Sequence, residues 1–143
     1  NCRTGALLLG RFALSGRVET WAKYLDIAYP GRKPADWDAW LADLQNNLRE
    51  PGRIDAARGM LRSKPVDAAA QLGKVRCPAL VVMGSADSDF ADPEAEAAGI
   101  VAAVPDGLGS YVMIDGAGHY PHAEYAEEVA AVMIPFLNRN LHA

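Results

Sequence analysis

The 143-residue sequence has little of what would place it in several large functional classes. Cysteine occurs twice, as Cys2 and Cys77, too few for a disulfide framework, so a reducing compartment is expected, with the cytoplasm as the default. No apolar run approaches the roughly 18 residues of a membrane span, and no basic-then-apolar signal segment opens the chain. Lys and Arg number 14 against 18 Asp and Glu, giving a net charge of -4, and the basic residues are scattered. These features argue against a nucleic-acid or membrane partner. Internal repeats and low-complexity tracts are absent as well. The sequence begins at Asn1 without a methionine and is read as a piece of a longer chain. Half of its residues are hydrophobic, which provides for the core of one domain or part of one.

The first half is helical in character and poor in strand-formers. Gly5 to Leu14 is an apolar segment closed by Ser15-Gly16, and Val18 to Tyr29 places Trp21, Leu25 and Ala28 at helical spacing before Pro30-Gly31. The clearest periodicity lies in KPADWDAWLADLQNNLRE, where Trp37, Trp40, Leu41, Leu44 and Leu48 share one face and Asp36 stands where an N-cap would. Pro51-Gly52 ends that helix. Ile54, Ala57 and Leu61 predict one more before Ser63-Lys64-Pro65.

At Val75 the pattern changes. Ala79 to Met83 (ALVVM) is apolar without alternation, as in parallel strands covered on both faces. Asp92 and Pro93 predict a capped helix start, with Glu94 and Glu96 favourably placed near its positive end. Ala97, Ile100, Val101 and Val104 give this helix an apolar face, and Tyr111 to Ile114 reads as a second strand parallel to the first. A last helix is expected from Ala123 to Leu137, bent or shortened by Pro135, with Val129, Val132, Met133, Phe136 and Leu137 on one face.

Both strands stop at glycine-containing turns. Gly84-Ser85-Ala86-Asp87 follows the first and Gly116-Ala117-Gly118-His119 the second, with enough chain between Asp87 and His119 for one loop, one helix and one strand. Ligands in parallel sheets bind just outside the carboxyl ends of the strands, so Asp87 and His119 are expected on one sheet edge. A histidine there can take a proton from a hydroxyl near neutral pH, and a carboxylate on its other ring nitrogen fixes its tautomer and stabilises the imidazolium.

These turns, and the continuation Tyr120-Pro121-His122-Ala123-Glu124, resemble the C-terminal end of an α/β-hydrolase-fold enzyme. The resemblance implies an α/β fold in which residues 74–143 are the C-terminal part of the hydrolase core, a β-α-β-α unit with two parallel strands. Residues 1–73 resemble the helical cap (lid) that such enzymes insert over the active site. It further implies that Asp87 is the triad acid and His119 the triad histidine. The family's nucleophile lies in a Gly-x-Ser-x-Gly elbow that precedes both, and no such pentapeptide occurs here. The reading is therefore a C-terminal hydrolase fragment for a small ester, thioester or related acyl substrate, without a nucleophile and inactive alone. A serine, aspartate or cysteine upstream would complete it.

Alternatives stay open from the residues themselves. The same fold without a nucleophile would serve as a non-catalytic binding or structural module. Asp89 is the fallback acid, although a turn aspartate more often bonds local backbone amides. His119, His122 and Asp87 are a rival metal-ligand set; neither metal nor cofactor is expected. His122 and Glu124 read as residues of a helix start rather than catalysts. Two parallel strands are too few to stand by themselves, so the open sheet edge is expected to pair with the N-terminal half of the same protein or with a second copy.

Overall fold

The computed structural model describes residues 2–62 and 66–141. The expected break at Ser63-Lys64-Pro65 lies outside them. In chain order the helical part comprises α1 (Cys2–Ser15), α2 (Val18–Ala28), α3 (Trp37–Leu48), α4 (Arg53–Leu61), the short α5 (Val66–Ala69) and a 3-10 turn (Leu72–Lys74). There follow β1 (Ala79–Gly84), α6 (Pro93–Ala103), β2 (Gly109–Ile114), the one-turn α7 (Pro121–Glu124) and α8 (Ala126–Asn140). The two strands pair in parallel, with Ala79 opposite Gly109 and Gly84 opposite Ile114.

Side-chain alternation along the strands sends successive residues to opposite faces. Val82, Val112 and Ile114 meet Val129 of α8 on one face. On the other, the Tyr111 hydroxyl donates to the Glu94 carboxylate of α6 at 3.3 Å. α6 begins as expected: the Asp92 side chain accepts the Ala95 N–H and Pro93 opens the helix, an arrangement worth about 1 kcal/mol.

Three expectations need correction. Asp36 stands at the N-cap position of α3, but its side chain makes no capping bond; its ψ of 14° departs from the extended conformation from which a cap side chain folds back. Pro135, expected to bend or shorten α8, does not shorten it, and the helix continues to Asn140. Pro135 and Ala131, whose carbonyl loses its helical partner, are both exposed, so water can satisfy the freed oxygen. The strands, expected to be covered on both faces, are only half-buried along Ala79 to Val82. In α8, Met133, Ile134 and Leu137 are exposed and only Val129 is buried. An apolar cavity of about 420 Å³ lies between β1 and α8, lined by Leu80, Val82, Met133 and Phe136 among others.

The helical part carries the larger core. Tyr24, Leu25, Ala28, Tyr29 and Trp37 are buried together, and Tyr120 and Ala123, which follow β2, pack against them. Tyr29 stacks on Tyr120 with ring centroids 4.8 Å apart. α2 and α3 thus pack against the segment that carries the sheet-edge chemistry.

Where the two strands end, the backbones nearly touch. A Cβ on Gly84 would lie 2.2 Å from the Gly118 carbonyl oxygen, and one on Gly118 would lie 2.3 Å from that of Ala28. We expect Gly84→Ala to destabilise the protein by about 3 kcal/mol through overpacking against rigid backbone. Gly99→Ala, inside α6 with nothing within 4 Å of the added methyl, should stabilise it by roughly 0.5–1 kcal/mol. Urea unfolding of both variants checks the opposite signs.

Candidate active site

The site is built from the two turns that leave β1 and β2. Ser85 N–H donates to the Ile114 carbonyl at 3.0 Å and Ala86 N–H to the Ala117 carbonyl at 2.8 Å, so the first turn is laced to the second through backbone. The Gly116 N–H donates to the Ser85 hydroxyl at 2.8 Å. Gly116 has φ of 73°, a left-handed conformation that disfavours a side chain. The chain therefore reverses immediately after β2 and brings His119 back toward Asp87.

Asp87 and His119 meet there. Nδ1 of His119 lies 3.0 and 3.1 Å from the two oxygens of Asp87. Asp87 is 7% exposed, whereas the histidine side chain retains 34% exposure. Among the described residues Nε2 of His119 has no hydrogen-bond partner, so the nitrogen remote from the carboxylate is the one left to act. The hydrogen bond to Asp87 raises the histidine pKa above its ordinary value; burial opposes the shift, and the charges of Asp87 and Asp89 reinforce it.

Asp89 behaves differently from expectation. Its carboxylate does not bond local amides but accepts the Tyr24 hydroxyl, at 2.9 and 3.0 Å. The local bond belongs to Asp87, whose Oδ1 accepts the Asp89 N–H at 2.9 Å. Asp89 Oδ2 stands 3.7 Å from Nδ1 of His119 and so acts on it as a second, more distant charge. Burial and the Asp89 carboxylate push the Tyr24 phenol well above its ordinary pKa, so the hydroxyl stays a donor. Burial also pushes Tyr120 up to about 12.

The rival metal set is not the one that forms. Asp87, Asp89 and His119 offer ligand atoms within 4.8 Å of one another; exposed His122 is not among them and lines the cavity beside α8. In Asp87, Asp89 and His119 the same atoms are engaged in hydrogen bonds to one another and to Tyr24.

Glu124 is the residue that sequence reasoning undervalued. It is 4% exposed, and its two oxygens accept the Gly118 N–H at 2.7 Å and the Gly31 N–H at 2.8 Å. Burial raises its pKa, opposed by these backbone donors. Nothing in its local pattern marks it, because one of its partners is remote in sequence.

Residues 3–132 match the alpha/beta hydrolase family. The chain belongs to that family. A solved structure of a thermophilic esterase from Thermogutta terrifontis, with malate bound, aligns at a TM-score of 0.62 and 19% sequence identity. That match covers 96% of this chain and 50% of the esterase chain, so this hydrolase-family chain spans half the length of its structural relative. At that identity the likeness concerns the fold. None of the curated proteins matches this chain.

The raised histidine pKa has a thermodynamic consequence. A folded pKa above the unfolded value of about 6.5 favours folding in full below that value, and the contribution is lost as pH rises through the folded pKa. We expect the parent's thermal midpoint to fall across this window relative to that of Asp87→Asn, which should show a flatter profile. Parallel profiles for the two proteins would contradict the linkage.

Proposed function

We propose that this chain supplies the acid and the base of a serine-type hydrolase acting on a small ester, thioester or related acyl compound. The observation that carries the reading is the bond of His119 Nδ1 to a buried Asp87 while Nε2 remains free. In this reading Asp87 holds the imidazole in the Nδ1–H tautomer, and Nε2 takes the proton of a serine hydroxyl as that oxygen attacks the acyl carbon. The imidazolium then returns the proton to the leaving group. Asp87 stabilises the charge developed on the ring and keeps its own charge throughout.

The serine and the oxyanion donors lie in this reading upstream of the present residues, and the helical part covers the site as a cap. Supporting this placement, α2 reaches the site through Tyr24 and through the Ala28 carbonyl, which accepts the His119 N–H at 2.9 Å. The apolar cavity between β1 and α8, whose lining includes exposed Met133 and Leu137, is the surface on which the upstream half of the core would pack. Taken alone, the chain should self-associate through that face and the free strand edges; a monodisperse monomer by light scattering at micromolar concentration would count against this.

In the complete enzyme, His119→Ala should lower kcat/KM by ~10⁴-fold or more and, by taking a donor from buried Asp87, lower the unfolding midpoint without abolishing folding. The acid limb of the parent's kcat/KM profile should lie above about pH 6.5, since the base must be neutral to act. The 143-residue chain by itself should neither turn over esters nor take a fluorophosphonate label. Activity within about tenfold of the parent in His119→Ala would defeat the base assignment, and a label on a serine of this chain would defeat the upstream nucleophile.

A further inference from the structure

We infer that Glu124 is a positioning residue for His119, tying the backbone of the histidine turn to the Ala28–Gly31 segment of the helical part. The inference rests on the acid–base reading of His119 and adds to it the means by which the ring is held. Three bonds form the seam. His119 N–H donates to the Ala28 carbonyl at 2.9 Å, while the two oxygens of Glu124 accept Gly118 N–H at 2.7 Å and Gly31 N–H at 2.8 Å. Gly118 immediately precedes the histidine, and Gly31 lies 93 residues away from Glu124 in sequence.

The chemistry of the position demands a carboxylate. Ionised Glu accepts at both oxygens and donates at neither, so one side chain can satisfy two converging N–H groups; an amide offers one accepting and one donating end. A buried charge is tolerated only when it is fully bonded, and N–H bonds to a carboxylate are the short, strong kind. The seam is also too tight to shift. A Cβ on Gly118 would meet the Ala28 oxygen and Pro30 Cδ at 2.3 Å, and one on Gly31 would meet the Gly116 oxygen at 2.7 Å. Beside it Arg32 lies over the Tyr125 ring at 4.5 Å and pairs with Glu128 at 3.0 Å. The ring itself faces Asp87 and Asp89 from the loop after β1, the Tyr24 hydroxyl behind Asp89, and the edge of Tyr120 at 5.0 Å.

The test needs no substrate. In the ¹⁵N-labelled 143-residue chain, the low-field Nδ1–H resonance of His119 reports its bond to Asp87. Glu124→Gln should broaden or abolish that resonance through faster exchange with water. Phe12→Leu, a fully buried change in α1 away from the seam, should keep it at a comparable loss of thermal midpoint. Persistence of the parental resonance in Glu124→Gln, or its equal loss in Phe12→Leu, would overturn the proposal. Absence of the resonance in the parent would instead fail the acid–base reading on which it rests. Should Glu124→Gln not fold, amide exchange in the parent decides: Gly31 and Gly118 should be protected alike, and Gly31 exchanging more than about tenfold faster would overturn the shared carboxylate.

Discussion

Everything at the carboxyl edge of the sheet depends on backbone approaching backbone. Gly84 leaves β1 so close to the Ala117 and Gly118 carbonyls that no side chain fits between them. Because both strands are parallel and in register to that point, their carboxyl ends deliver the two turns to one place. The hydrogen bonds from Ser85 and Ala86 to Ile114 and Ala117 then fix the spacing. Asp87 and His119 meet because the main chain leaves them little choice.

The second constraint is electrostatic. Buried carboxylates are stable only with donors around them, and three acidic side chains, Asp87, Asp89 and Glu124, crowd this edge. Each is held by its own donors: His119 Nδ1 and the Asp89 amide for Asp87, the Tyr24 hydroxyl for Asp89, the Gly31 and Gly118 amides for Glu124. Two of these donors, Tyr24 and Gly31, belong to the helical part. The helices and the sheet edge are consequently one electrostatic unit, and the state of one bears on the other.

Much of this was legible in the sequence because it is local. The uninterrupted ALVVM run, the Asp92-Pro93 start of α6, the Gly-x-x-Asp and Gly-x-Gly-His turns and the parallel pairing all follow from short patterns that the structure keeps. The illegible part is non-local. Glu124 looked like an ordinary residue of a helix start, since its partner at Gly31 is set by tertiary packing. Asp89 looked like a turn aspartate, since Tyr24 reaches it only once α2 has docked. The half-exposed strands and the bare face of α8 were likewise hidden, because periodicity reports which residues can be buried and not what is present to bury them.

Asp87 and His119 form a bonded pair within this chain. The most direct measurement is the titration of the His119 ring followed by NMR in the parent and in Asp87→Asn. The parental pKa should lie above the ordinary value of about 6.5 and drop when the carboxylate becomes an amide. A His119 that titrates at or below that value in the parent, and does not respond to the substitution, would contradict the pairing.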